Sequence, residues 1–426
     1  MKNEKLLALL KILGVIACLY FFLIGIGGMG AAFKDEFKDD AANLLEATRS
    51  PIVGLFIGIL ATTIVQSSST TTSLIVALVA AGAVDVGGAI FMVMGANVGT
   101  TVTAKIVSLG HITRKAEFRR AFAASSVHDT FNLITVGIML PLEYSFQIIE
   151  RMAGYMGSAF VHVTGVTEPG NPIKEVTKPV IQLMKDALGS DFWLLIISVI
   201  LTFIMLYGIV KLLQSLVLKK LESFFDSYLF RNAAVAFAVG LILTVMVQSS
   251  SITTSLIVPL AGAGVLRLQQ IFPFTIGANI GTTITGLLAA LAAASAVTVT
   301  GEDLNSLDPA KADLARQLKA NVVAGATVAF AHLLFNCAGA IIFLPFKPVR
   351  ELPVKFAEWL AEICLRNRVI PVVFIIVVFY LIPLAVAWNT VADAFGDTDS
   401  GPKQEESAVS PSEAGGQNGA APPPKE

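Results

Sequence analysis

Long apolar stretches alternate with short polar ones along this chain. The apolar segments cover 6–30, 51–82, 87–109, 121–142, 191–218, 233–264, 269–294, 320–346 and 369–392. A membrane-spanning helix needs about 20 mostly apolar residues, so seven of these segments predict single spans. The other two, 51–82 and 233–264, are too long for one span and too short for two, and each carries a block of Ser and Thr in its middle. Non-helical backbone at membrane depth is tolerated only where it is buried in protein or lines a wet cavity. Both segments therefore predict helical hairpins or broken helices that dip into the membrane. After Asp393 the pattern changes: 397–426 is rich in Gly, Pro, Ser, Glu and Lys and predicts disorder, because it has too little apolar surface to bury.

The two odd segments are copies of each other. Gln66-Ser67-Ser68-Ser69 recurs as Gln248-Ser249-Ser250-Ser251, and Gly95-Ala96-Asn97-Val98-Gly99-Thr100-Thr101 recurs as Gly277-Ala278-Asn279-Ile280-Gly281-Thr282-Thr283, both at an offset of 182 residues. His128, Asn132 and Pro141 are echoed by His332, Asn336 and Pro345 at an offset of 204 residues; the 22 extra residues fall in the polar stretch 295–319. Matched interrupted segments in two halves are a pointer to a transporter. Loop 111–120 carries Arg114, Lys115, Arg119 and Arg120 against Glu117. Its counterpart 295–319 carries Lys311, Arg316 and Lys319 against Glu302, Asp303, Asp308 and Asp313. Cytoplasmic loops are enriched in Lys and Arg, so the first loop is expected inside and the second outside, which makes the halves inverted.

The predicted architecture is an all-α polytopic membrane protein with two inverted-topology repeats, each holding a re-entrant or broken helical hairpin. Its parts are a first transmembrane helix and connector (1–50), repeat 1 (51–145), an external loop (146–190), repeat 2 (191–346), a cytoplasmic connector and last transmembrane helix (347–396), and the tail (397–426). The C-terminus is then expected outside. Lys2, Lys5 and Lys11 ahead of an apolar run resemble a signal peptide, and Val15-Ile16-Ala17-Cys18 hints at a lipoprotein box; with so many spans following, an uncleaved first helix is the simpler expectation.

Composition narrows the classes further. Only 14% of residues are charged, against about 25% in soluble domains, so lipid must be the solvent over much of the surface. A net charge of −1 gives no basic face for nucleic acid. Cys18, Cys337 and Cys364 form no C-x-x-C pair or Cys/His cluster, which argues against disulfide scaffolds and zinc sites. No organic cofactor is expected.

The candidate chemistry is neutral oxygen. Hydroxyls both donate and accept, and a broken helix frees N–H groups for an anion and carbonyls for a cation. Ser67, Ser68, Ser69, Ser249, Ser250 and Ser251, with the amides of Asn97 and Asn279, are candidates to hold a tetrahedral oxyanion. Hard cations take oxygen ligands, which makes Gln66, Gln248, Thr100, Thr101, Thr282, Thr283 and Thr285 candidates for sodium. Gly95, Gly99, Gly277 and Gly281 permit close approach or a local break. Ser, Thr and Gly also serve plain helix packing in membranes, and for the Gly-Ala-Asn motifs that alternative stays open. Asp129 is a candidate for sodium or a proton, or else an interfacial residue. Lys105 is expected to snorkel to the surface, and His332 to pack in the core.

These residues resemble the type II sodium/phosphate cotransporter family. The likeness is carried by the doubled Gln-Ser-Ser-Ser, by the paired Gly-Ala-Asn-x-Gly-Thr-Thr, and by Glu117-Phe118-Arg119-Arg120-Ala121-Phe122-Ala123 leading to Val127-His128-Asp129 and Phe131-Asn132. It covers about 50–145 and 190–346. The resemblance implies re-entrant hairpins meeting at mid-membrane and sodium-driven phosphate uptake by alternating access in the cell membrane, the inner membrane for a bacterial member. It implies phosphate contacts at Ser67, Ser68, Ser249 and Ser250. It further implies one sodium site at Gln248, Ser249, Ser250, Thr282 and Thr285, and a second involving Asp129 and Asn132. The cysteine-paired external loop of animal members has no counterpart here. Two rival readings are a sodium-coupled carrier of sulfate or arsenate, and a channel. A serine enzyme fits poorly, because neither serine block sits in a Gly-x-Ser-x-Gly elbow. Inorganic phosphate, sodium and lipid are the expected partners, and the oligomeric state stays open.

Overall fold

The computed structural model describes residues 2–36, 50–164, 172–225, 232–297 and 301–388, and every regular element within them is helical. The expected disordered tail, and 389–392 of the last apolar segment, lie outside the described residues.

The chain opens with α1 (Lys2–Glu36). The first hairpin is α2 (Pro51–Val65) and α3 (Ser68–Ala80). A lightly broken span follows, α4 (Val86–Gly99) and α5 (Val102–Leu109). Next come α6 (Lys115–Phe146), α7 (Ile148–Thr164), α8 (Pro172–Leu188) and the long α9 (Asp191–Phe225). The second hairpin is α10 (Ala233–Val247) with the two short helices α11 (Ser250–Ser255) and α12 (Ile257–Gly262). Then follow α13 (Leu268–Ala296), α14 (Gly301–Leu304), α15 (Pro309–Phe343), α16 (Lys347–Leu365) and α17 (Val369–Ile376), the last continuing through a π-turn at Val377–Leu381. Six helices are long and apolar enough to cross a membrane, or seven if the pair α6–α7, bent by 76°, is one span.

Polar residues start these helices, because the first amides of a helix have no partner inside it. Ser50 accepts from the Val53 amide with Pro51 at the first position, Asp85 accepts from Gly88, Asn232 from Val235 and Asp308 from Ala310. The bend between α6 and α7 is capped from within. Gln147 adopts φ 51°, and the Glu143 carboxylate accepts the amides of Ile149 at 2.7 Å and Glu150 at 2.9 Å. Each hairpin leaves through a glycine in the left-handed region, Gly82 at φ 82° and Gly264 at φ 81°, where only glycine is free of steric penalty.

Two polar stretches differ from expectation. The supposed external loop 146–190 is largely α7 and α8. The cytoplasmic connector is α16, an amphipathic helix that buries Val354, Ala357, Leu360 and Ala361 while exposing Phe356 and Trp359. Charge identified both stretches as lying off the membrane core but concealed their helical period.

Glycine notches set the closest helix contacts. A Cβ at Gly58 would run into the Met92 carbonyl and one at Gly95 into the Leu55 carbonyl, locking α2 on α4. The same pair recurs 182 residues on: Gly240 faces the Phe274 carbonyl and Gly277 the Phe237 carbonyl, locking α10 on α13. Each hairpin is thus seated by backbone contact on the span that follows it. The apolar core then joins the halves: Phe131 of α6 lies edge-on to Phe272 of α13 at 5.7 Å and to Phe343 of α15 at 5.5 Å.

Gly95→Ala and Gly277→Ala should each lower stability by about 1–3 kcal/mol, the range for overpacking. Gly137, with open space around it, should accept Ala with a neutral or stabilising effect of up to about 1 kcal/mol. Thermal unfolding of the three variants in detergent checks the contrast; equal midpoints would show that the notches do not hold the hairpins.

Candidate functional site

Each hairpin breaks at its glutamine. Gln66 and Gln248 adopt φ 58° and 55°, a left-handed conformation that is uncommon for any residue with a Cβ and persists only where its surroundings over-determine it. Here the surroundings do so in the same way twice. The backbone N–H closes the preceding helix on Thr62 or Thr244. The side-chain amide folds back to donate to the Thr63 carbonyl or, at 2.6 Å, to the Val245 carbonyl. The amide oxygen is thereby turned outward and accepts from Thr103 at 2.7 Å in the first half and from Thr285 at 2.6 Å in the second. Thr103 and Thr285 are themselves 182 residues apart.

One residue later the chain is extended. Ser67 and Ser249 sit at φ −153° and −154° and cap the next helix, accepting from the amides of Thr70 and Ile252. Ser68, Ser69, Ser250 and Ser251 follow in the first turn and are buried. The two breaks meet: Ser69 Oγ donates to the Gln248 carbonyl at 3.3 Å. The buried hydroxyls of Thr62 and Thr244, a matched pair, and of Thr72, Ser73 and Ser255 have no protein partner. Unpartnered buried polar atoms are rare and call for an explanation; here they border the two breaks.

The remaining sequence candidates fall into two groups. Thr100, Thr101, Thr282 and Thr283 donate to carbonyls of their own helices, at Ala96, Val98, Ala278 and Ile280, which leaves their oxygen lone pairs as acceptors only. Asn97, Asn132 and Asn279 form a buried network with the two histidines. Asn279 Oδ1 meets His128 Nε2 at 2.5 Å, and Asn97 Oδ1 meets His332 Nε2 at 3.4 Å. Asn132 joins the halves, donating to the Asn97 carbonyl at 2.7 Å and accepting from Asn279 Nδ2 at 2.8 Å. His332 is therefore more than core filling, and both candidate asparagines already have protein partners.

Asp129 is 1% exposed and lies in the middle of α6. Its Oδ2 stands 3.2 Å from Lys105 Nζ. Lys105 does not snorkel: it is 0% exposed, donates to Ser126 Oγ at 2.7 Å, and lies 4.6 Å and 5.1 Å from the ring centroids of Phe122 and Phe374. Position near a segment's end suggested an escape to water, but α6, α16 and α17 pack over that end of α5. Thr103 also escaped notice, although the repeat offset applied to Thr285 points straight to it.

A sequence profile described as Na+/Pi-cotransporter matches residues 21–164 and 203–335. Sodium-dependent phosphate transport protein 2A of Mus musculus is 30% identical over 459 residues, covering 89% of this chain and 67% of the mouse protein. Sodium-dependent phosphate transport protein 2B is 31% identical in Bos taurus and 28% in Homo sapiens, each match covering 88% of this chain and 64% of the relative. The chain thus spans about two thirds of the length of these relatives. No solved structure is significantly similar.

Asn132→Leu should strand the Asn279 amide and the Asn97 carbonyl, at about 1–3 kcal/mol for each buried unpaired group. A fall in the unfolding midpoint in detergent is expected; an unchanged midpoint would show that the network does not bind the halves together.

Proposed function

The chain belongs to the Na+/Pi-cotransporter family, and from that premise we propose that it is a secondary active transporter that carries inorganic phosphate into the cell together with sodium by alternating access. Its place would be the cell membrane, the inner membrane if the source is bacterial. The observation that carries the proposal is the doubled break. Two helices open at matched glutamines, each aims an amide oxygen at a threonine, and Ser69 touches the Gln248 carbonyl.

In this proposal the sodium ligands of the second half are Gln248 Oε1, the hydroxyls of Ser249, Ser250, Thr282 and Thr285, and carbonyls freed at the break. Gln66, Thr100 and Thr103 are their counterparts in the first half. Sodium strips easily of water only where several hard oxygens replace it, and a helix break supplies them without a fixed charge. Phosphate would be held by Ser67, Ser68, Ser69, Ser249, Ser250 and Ser251 and by the amides that open α3. Neutral donors suit a step in which the anion must leave again, because a buried fixed cation would hold it too tightly. Sodium bound beside the anion supplies the countercharge, which is how the two loads become coupled.

The two halves would be inverted across the membrane. The His128–Asn279 and His332–Asn97 contacts support this, since residue i of one half meets residue j of the other and the reverse. Such reciprocity marks two-fold related surfaces. The basic 111–120 loop and the acid-rich 295–319 stretch supply the sidedness.

Uptake of labelled phosphate into proteoliposomes with and without an inward sodium gradient tests the proposal. Accumulation above equilibrium that needs the gradient is expected, and passive equilibration would point to a channel. Excess unlabelled sulfate should leave uptake unchanged. Ser68→Ala and Ser250→Ala should each abolish sodium-driven uptake in a well-folded protein; normal transport by both would refute the site. Thr285→Val and Thr103→Val should raise the half-saturating sodium concentration several-fold, more than that for phosphate, and the reverse pattern would reassign them to phosphate.

A further inference from the structure

Lys105 stands where a free cation would otherwise be needed. We propose that its ammonium is a resident counter-cation at Asp129, occupying the position of a coupling ion, so that this chain binds one sodium fewer than it would with a neutral residue at position 105. The inference rests on the sodium-coupled reading above.

A buried carboxylate must be neutralised or paired. Asp129 lies halfway along α6, where snorkelling to an interface is out of reach, and its Oδ2 meets Lys105 Nζ at 3.2 Å. Around that nitrogen are a carboxylate oxygen, the Ser126 hydroxyl and two aromatic rings. Carboxylate and hydroxyl oxygens are hard ligands, and ring faces attract any cation. Nothing in this shell is particular to an ammonium. Asp129 Oδ1 keeps an acceptor without a protein partner, as a site with room for further coordination would.

The internal repeat provides the control. The positions that correspond to Lys105 and Asp129 in the second half, at offsets of 182 and 204 residues, are Leu287 and Leu333. The helix pair is therefore built once with both charges and once with neither. The ion pair is not needed to hold the helices together, and lysine and aspartate are present or absent as a unit. With the pair intact the site is neutral and a sodium ion there would add an unmatched charge. Remove only the lysine, and a mobile cation has to replace it.

The test counts sodium ions. Radioactive sodium binding at saturation is measured on the purified full chain in detergent, and the sodium-to-phosphate flux ratio on the same protein in proteoliposomes. Lys105→Thr should bind one more sodium per chain than the unaltered protein and show a flux ratio higher by one; adding Asp129→Asn should remove that ion. An unchanged count in Lys105→Thr would overturn the proposal. If that variant does not fold, the double variant Lys105→Thr/Asp129→Asn decides, since it buries no unmatched charge: a count equal to that of the unaltered chain supports the proposal, and a count lower by one shows that Asp129 already holds sodium and overturns it. Absence of sodium-driven phosphate uptake by the unaltered chain would instead defeat the symport reading and leave the binding count interpretable.

Discussion

The helix break in each hairpin depends on a glutamine amide turned back on its own helix. In hydrocarbon an unpaired backbone group costs several kcal/mol, so a helix cannot simply stop there. Gln66 and Gln248 solve this with three bonds apiece: backbone N–H to the helix, side-chain N–H to the last turn, and side-chain oxygen to a threonine on the next span. Glycine would reach the same φ without strain but could make only the first bond. The strained residue is retained because its side chain both seals the broken end and presents an oxygen. Serine capping of the following helix, glycine seating and the meeting of the two tips all presuppose that sealed break.

Around it the protein separates polar work from packing by residue size. The glycines of the Gly-Ala-Asn motifs let backbones touch, and their asparagines cross between halves. The alternative that small residues serve packing therefore holds for the glycines, while the threonines of the same motifs turn their hydroxyl protons to their own helices. One seven-residue motif holds three jobs, which is why it recurs nearly whole.

Much of this was legible because the chain repeats itself. Hydropathy located the spans, and the constant offset between Gln66 and Gln248 marked the breaks before any coordinates. Thr103 was equally accessible through that offset, yet a lone threonine outside a recognised motif carries no signal of its own. Lys105 was misread for a different reason. Distance from a segment's end predicts snorkelling only when nothing packs over that end, and α6, α16 and α17 come from distant parts of the chain. The buried partners Lys105 and Asp129 are brought together by the turn at 110–114, which hydropathy does not encode. Helices α7, α8 and α16 were hidden because their polar faces dominate any average over a window, whereas their period of 3.6 residues lies in the order of residues and not in the total.

The glycine seating also constrains motion. Where a carbonyl sits in the notch left by a missing Cβ, sliding by one residue would press Ile59 or Met94 against backbone, so the two helices cannot shear past one another. Each hairpin and its following span must therefore travel as a single rigid body. Whatever rearrangement opens the protein to one side and then the other has to take place along the seams between these bodies, where contacts are side chain to side chain and rotamers can yield.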